Sequence, residues 1–124
     1  TSTSLAAHIL CEAHTNVTAF LGGIAKNYNT NFIASDNTVD KSTIVIEADE
    51  FDRFFLQLHP DIAIVTTVDP DHLEVYGDQQ GFEEGFKQFL TKISPQGIAI
   101  LHRSVAERLI EPDRTYSFRV ITYA

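Results

Sequence analysis

Cysteine, basic residues and long apolar runs are scarce or absent in this chain of 124 residues, and each scarcity excludes a class of structure or partner. A single cysteine cannot form an internal disulfide, and such sparse use suits a reducing compartment. Lysine and arginine number 9 against 17 acidic residues, which gives a formal net charge of −8. Because a surface of that sign repels nucleic acid and anionic lipid, we predict neither nucleic acid nor a membrane as a partner. No apolar run is long enough for a membrane-spanning helix, which needs about 18 residues or more.

What is present suits a packed globular domain. Hydrophobic residues make up 44% of the chain and include nine phenylalanines, although tryptophan and methionine are absent. The length is that of one domain, so we predict a single domain over residues 1–124. Predicted strands alternate with predicted helices, which favours an α/β fold with a mostly parallel sheet and helices on both faces.

Two short β-branched segments, 43–46 and 62–67, each end in acidic residues. Continuous apolar runs of this kind are typical of strands covered on both faces of a sheet. If the two strands are parallel, their C-terminal ends meet at one edge of the sheet, where open α/β sheets bind ligands. The residues that follow are Glu47, Asp49, Glu50 and Asp52 after the first run, and Asp69, Asp71, His72 and Glu74 after the second.

So many carboxylates repel one another unless a cation lies among them. Hard oxygen ligands with little sulfur nearby favour Mg²⁺ or Mn²⁺ over Zn²⁺. The acidic residues therefore predict a magnesium or manganese site. The alternative is that each is a solvated loop residue with no ligand, and the composition alone leaves that alternative open.

Two motifs in this region resemble the central domain of the Mur ligases. They are Glu-Ala-Asp-Glu-x-Asp at 47–52 and, after Pro60 and an apolar strand, Asp-Pro-Asp-His-Leu-Glu-x-Tyr at 69–76. The resemblance covers nearly the whole chain, and the two motifs at matching separation are more specific than either alone. The first motif is most similar to that of the members that add L-alanine to UDP-N-acetylmuramate. The implied fold is similar to that of P-loop nucleotide triphosphatases.

The resemblance implies a cytoplasmic, ATP-dependent ligase of peptidoglycan precursor synthesis, with UDP-N-acetylmuramate and L-alanine as substrates and Mg²⁺ or Mn²⁺ as the cation. It implies that Glu47 and His72 are the catalytic metal ligands. It also implies that Asp49, Glu50 and Asp71 orient the nucleotide, the ligands or water beside them. Nothing in the sequence indicates an oligomeric state.

The family's phosphate-binding loop runs into a threonine-rich helix start, which Thr1-Ser2-Thr3-Ser4 resembles. Since the sequence contains no Gly-Lys dipeptide, we expect that loop to precede Thr1 in a longer protein, and Thr1 itself to lie beside the nucleotide. The rest of the central domain and the N- and C-terminal domains are also expected outside this chain, which alone should be inactive. The resemblance makes Gly22 and Gly23 candidate contacts to the nucleotide sugar, whereas the residues by themselves predict a turn there.

The periodicity of the apolar residues predicts the remaining elements. Phenylalanines and a leucine after the first acidic segment are expected in the core. The predicted helices are at 3–14, 79–93 and 105–110, the predicted strands are at 17–21, 31–35, 98–101, 116–118 and 120–123, and the predicted core side chains are Phe51, Phe54, Phe55 and Leu56.

Three other interpretations remain open. One is a metal-dependent phosphohydrolase, which also uses acidic residues at strand ends. Another is a non-catalytic α/β module whose acidic residues only keep it soluble. The third is a different member of the ligase family, such as a murein peptide ligase or a folylpolyglutamate synthetase, against which the motif at 47–52 argues with varying strength.

Overall fold

The structure is a computed structural model, and it describes residues 2–25, 30–34, 42–48, 51–69 and 79–124. Contacts between residues divide the chain into two compact units, residues 1–48 and residues 49–124. None of the helices in the described ranges is long and apolar enough to cross a bilayer.

The N-terminal unit is a helix on a three-stranded sheet. Its elements are helix α1 (Ser2–Glu12) and strands β1 (Val17–Ala25), β2 (Thr30–Ile33) and β3 (Thr43–Ile46). The strand order is β2-β1-β3, so β1 is central. It pairs antiparallel with β2 and parallel with β3. The parallel pair matters for function, because it sets the C-terminal ends of β1 and β3 at the same edge.

Alternate residues of β1 are buried and form most of the core of this unit. Side chains of a strand point to opposite faces in turn, so one face of β1 meets α1 and the other does not. The buried residues are Ala7, Val17, Ala19 and Leu21. Cys11 packs against them, partly buried, as a small apolar side chain. On the opposite face Phe20 and Phe32 stack with ring centroids 5.1 Å apart and remain exposed.

The C-terminal unit is a second three-stranded sheet with helices. Its elements are a 3₁₀ helix (Phe51–Gln57), β4 (Ile62–Val65), α2 (Gln79–Thr91), β5 (Ile98–His102), α3 (Arg103–Leu109) and β6 (Arg119–Tyr123). The strand order is β4-β5-β6, and both strand pairs are parallel. Parallel neighbours need crossover connections, and α2 and α3 lie in them.

One face of this sheet and the helices enclose the main core. Phe55 of the 3₁₀ helix is 2% exposed, and its ring lies 5.2 Å from that of Phe86 and 5.0 Å from that of Phe89. Alternation along β4 places Ile62 and Ile64 on the other face, where they are exposed. The other buried residues include Ala63, Val65, Phe82, Leu90, Ala99, Leu101, Val105 and Leu109.

The α/β class and the mostly parallel pairing are confirmed. The predicted strand at 116–118 is wrong: the chain there precedes β6, and Tyr116 and Phe118 stack with ring centroids 5.0 Å apart. Phe54 is exposed, so its predicted core position is also wrong, while Phe55 and Leu56 do contact the core. The side chain of Phe51 lies outside the described residues.

The turn that the residues predicted at the glycine pair is wrong as well. Strand β1 continues through Gly22 and Gly23 to Ala25. Its register with β2 shifts between Phe20 and Ala25, so the ladder is irregular where the glycines lie. Glycine inside a strand often marks such a bulge, because no side chain has to pack there. The pair interrupts the ladder without ending the strand.

Candidate functional site

Glu47 lies at the end of β3, where the sequence places it. Its backbone N–H donates to the carbonyl oxygen of Phe20 at 2.9 Å, which extends the β1–β3 ladder one bond beyond the last paired residue, Ile46. Its side chain is exposed. The residue is therefore tied to the sheet through its main chain, while its carboxylate is open to solvent.

Gly22 holds the Glu47 carboxylate. The backbone N–H of Gly22 donates to Oε2 of Glu47 at 2.7 Å, across the gap between β1 and the end of β3. Hydrogen bonds to a charged acceptor are short and about twice as strong as those between neutral groups. The sequence motifs give no sign of this contact. The register of the parallel pair could have suggested it, because Gly22 lies two residues beyond Phe20 on the same edge of β1.

The arrangement around Glu47 fits a hard divalent cation. A carboxylate offers about four lone-pair positions, and one backbone N–H occupies a single position. The remaining lone pairs of the carboxylate can coordinate a metal ion, and oxygen is the ligand atom that Mg²⁺ and Mn²⁺ prefer. One oriented ligand does not make a complete site. Among the described ranges no three His, Cys, Asp or Glu side chains form a group that could hold a metal ion.

The second predicted metal ligand and the residues predicted to lie beside the nucleotide fall outside the described residues. This applies to Thr1, Asp49, Glu50, Asp71 and His72. The meeting of Glu47 with His72 therefore stays a prediction. The predicted sugar contacts, Gly22 and Gly23, both lie within β1.

The second acidic strand end begins as a turn held by side chains. Thr67 donates its hydroxyl to Oδ2 of Asp69 at 2.7 Å, and the Asp69 N–H donates back to that hydroxyl at 3.2 Å. Such local bonds favour turns over a continued strand, which explains why β4 ends at Val65 and not at 67. Oδ1 of Asp69 also lies 4.0 Å from Nη1 of Arg108.

Arg108 pairs more closely with Glu83 of α2. Its Nε and Nη2 donate to Oε1 of Glu83 at 2.8 and 2.6 Å, and Gln79 donates to the same oxygen at 3.1 Å. These hydrogen bonds, chiefly that from Arg108, hold the pKa of Glu83 below its ordinary value. This ion pair ties α2 to α3. Arg108 also lies within ion-pair distance of Asp69, whose side chain is largely exposed.

The lowered pKa of Glu83 predicts a pH-dependent contribution to stability. A carboxyl group whose pKa is lower folded than unfolded stabilises the fold above the unfolded pKa and loses that contribution as pH falls through the folded pKa. We expect Glu83→Gln to lower the free energy of unfolding at pH 7 by on the order of 1 kcal/mol, given the partial exposure of the pair. The difference from the parent should shrink below about pH 4.3, the pKa of an unperturbed glutamate.

Urea unfolding from pH 7 to pH 3 measures this difference. Arg108→Met supplies the control, because Glu83→Gln should then have little further effect at any pH. A difference between Glu83→Gln and its parent that stays constant across the range would contradict the assignment.

Comparison with known proteins agrees with this fold. The model of the Mur ligase middle domain matches residues 1–124. Among solved structures, the UDP-N-acetylmuramate-alanine ligase MurC from Thermotoga maritima has a TM-score of 0.72 and 26% identity, over 88% of this chain and 24% of that one. These similarities define the class as an α/β ligase domain. More particularly, the chain belongs to the Mur ligase middle-domain family, which confirms the resemblance found in its motifs.

Curated relatives extend the comparison. The UDP-N-acetylmuramate–L-alanine ligase of Cytophaga hutchinsonii is 49% identical over 100 residues, which cover 81% of this chain and 22% of the relative. The enzyme of the same name from Phocaeicola vulgatus is 39% identical over 124 residues, all of this chain and 26% of the relative. The chain thus spans about a quarter of the length of these relatives.

Proposed function

We propose that this chain is part of the central ATP-binding domain of a cytoplasmic ligase that joins L-alanine to UDP-N-acetylmuramate in peptidoglycan precursor synthesis. The observation that carries the proposal is the 39% identity, over all 124 residues, to a ligase named for that reaction. The exposed Glu47 at the end of β3 supports it, since the family resemblance gives that residue a metal-binding role. Thr1 would lie beside the nucleotide, and the phosphate-binding loop, the remainder of the central domain and the flanking domains would complete the enzyme.

The proposed reaction forms an amide at the expense of ATP. The carboxylate of UDP-N-acetylmuramate attacks the γ-phosphorus of ATP, which releases ADP and gives an acyl phosphate. The amine of L-alanine then attacks the acyl carbon, and phosphate leaves. The obstacle is that two anions, carboxylate and triphosphate, have to come into contact.

The residues of this chain would provide the fixed charges for that encounter. Glu47 and His72 would hold Mg²⁺ or Mn²⁺, which when bound neutralises phosphate charge and orients in-line transfer. Asp49, Glu50 and Asp71 would orient these ligands or nearby water through hydrogen bonds. Gly23 and the adjoining part of β1 would face the nucleotide sugar. What the described structure supplies is the firm anchoring of Glu47, through its own N–H to Phe20 and through its carboxylate to Gly22.

A substrate-omission assay with the whole ligase tests the proposal. We expect ADP release to require UDP-N-acetylmuramate, L-alanine and a divalent cation together, and the nucleotide-sugar product to gain one alanine by mass spectrometry. The competing functions predict other results. Phosphate release from simple esters without alanine would indicate a phosphohydrolase, and turnover with a peptide but not with free alanine would indicate a murein peptide ligase.

A further inference from the structure

The contact between Gly22 and Glu47 replaces a missing step of the β-ladder. In a parallel pair, alternate residues of a strand direct both backbone groups toward the same neighbour. On β1 those residues include Phe20, which accepts from the N–H of Glu47, and then Gly22. Where β3 has ended, the N–H of Gly22 donates to the side-chain oxygen Oε2 of Glu47 at 2.7 Å. The side chain thus completes the edge and is fixed by it.

The lack of a side chain at Gly22 makes room for that carboxylate. A Cβ added at this position would lie 2.5 Å from Cδ and Oε1 of Glu47 and 2.7 Å from Oε2. Real Cβ atoms essentially never approach other heavy atoms so closely. The φ angle of Gly22 is outside the left-handed region, so the position requires glycine for space and not for conformation.

We propose that Gly22 is a positioning residue for Glu47. Its N–H orients the carboxylate and its bare Cα leaves the space that the carboxylate occupies, so that Glu47 is presented to the cation in one orientation. The inference rests on the proposed function, in which Glu47 is a metal ligand. It assigns to Gly22 a role that acts through Glu47, in place of the direct contact to the nucleotide sugar that the family resemblance suggested.

Mn²⁺ affinity of the Gly22→Ala variant tests the proposal. The whole ligase is titrated with manganese chloride, and free Mn²⁺ is followed by its electron paramagnetic resonance signal. Groups that orient a metal ligand typically contribute 10–100-fold to metal affinity, so we expect Gly22→Ala to weaken Mn²⁺ binding by about that factor. An affinity equal to that of the parent would overturn the proposal.

Gly97→Ala is the matched control. A Cβ at Gly97 would lie 2.6 Å from the carbonyl oxygen of Asp61 and 2.6 Å from Cγ2 of Ile93, so the same substitution meets equal crowding in the other unit. We expect it to lower the melting temperature and to leave the Mn²⁺ affinity of the folded enzyme unchanged. If both alanine variants weaken Mn²⁺ binding equally, the effect of Gly22→Ala is general destabilisation and the proposal fails.

Combining Gly22→Ala with Glu47→Asp tests whether Gly22 acts by positioning Glu47 or independently of it. Aspartate at position 47 withdraws the carboxylate by one methylene and relieves the overlap with an alanine at 22. Gly22→Ala should therefore cost much less Mn²⁺ affinity in a Glu47→Asp background than in the parent, since residues in contact are coupled. Equal fold-losses in the two backgrounds would show that Gly22 acts independently of Glu47.

Hydrogen exchange of the Gly22 amide tests its contact with Glu47 even if Gly22→Ala does not fold. Removing the acceptor by Glu47→Ala should speed exchange of the Gly22 amide by about tenfold or more, because that amide loses its partner. Unchanged exchange would overturn the proposed contact. If the proposed function is wrong and Glu47 is not a metal ligand, Glu47→Gln will leave the Mn²⁺ affinity unaltered. If Glu47→Gln weakens Mn²⁺ binding strongly and Gly22→Ala does not, only the positioning role of Gly22 is wrong.

Discussion

Glu47→Gln is expected to reduce ligation by the whole enzyme more than about 100-fold, because a bound cation contributes several kcal/mol of charge stabilisation and each 1.36 kcal/mol is tenfold in rate. Glutamine keeps the shape of the side chain and an oxygen that can accept from the Gly22 N–H, which lies 2.7 Å from Oε2 in the parent. The loss should therefore be one of charge and ligation, with little change in the fold. His72→Ala should have a similar effect on the rate.

Turnover measured across a Mg²⁺ titration checks this expectation, with thermal unfolding to confirm that the variant is folded. Glu84→Gln is the control, because Glu84 is also exposed and the substitution removes the same charge from the C-terminal unit. It should ligate at the parent rate. Equal turnover of Glu47→Gln and the parent at every Mg²⁺ concentration would contradict the metal-binding role of Glu47.

Phe55→Ala is expected to destabilise the C-terminal unit by about 3–5 kcal/mol, the range for removing a buried phenylalanine ring. Phe55 is 2% exposed and lies between the rings of Phe86 and Phe89 of α2. Its removal would leave a cavity where the 3₁₀ helix contacts that helix.

The neighbouring residue supplies a control within the same 3₁₀ helix. Phe54 is 55% exposed, so Phe54→Ala should change the free energy of unfolding by only about 0.5 kcal/mol. Urea unfolding followed by far-ultraviolet circular dichroism measures both variants. Similar losses from the two substitutions would show that the structure assigns the wrong phenylalanine to the core.

The sequence predicted the elements whose signal is local and strong. Helix α2 has apolar residues at helical spacing, and the β-branched runs of β3, β4 and β5 are short and bounded by polar or turn residues, so their positions were predicted closely. The prediction failed where the same apolar pattern allowed more than one choice of buried residues. Residues 51–56 offer more apolar side chains than one face of a short helix can bury, and only packing against α2 decides that Phe55 enters the core and Phe54 does not.

The residues of the candidate site also fall into those that the local sequence predicted and those that it did not. Glu47 was found from its motif and from its place at the end of an apolar run. The contact of Gly22 with Glu47 was not predicted, because it depends on the register between two strands and joins residues 25 apart in sequence. A glycine pair next to a strand is more often a turn, and the local sequence does not reveal that β1 continues through it. Arg108 was missed for a similar reason, since its partner Glu83 is also 25 residues away.

The most direct test of the account is where the cation binds in the whole ligase. Crystals grown with ATP and Mn²⁺, measured at a wavelength where manganese scatters anomalously, would locate the metal independently of the protein atoms. We predict an anomalous peak about 2 Å from a carboxylate oxygen of Glu47, with the imidazole of His72 as a second ligand. A peak that touches neither residue, or coordinates that place Glu47 and His72 on opposite sides of the molecule, would contradict it.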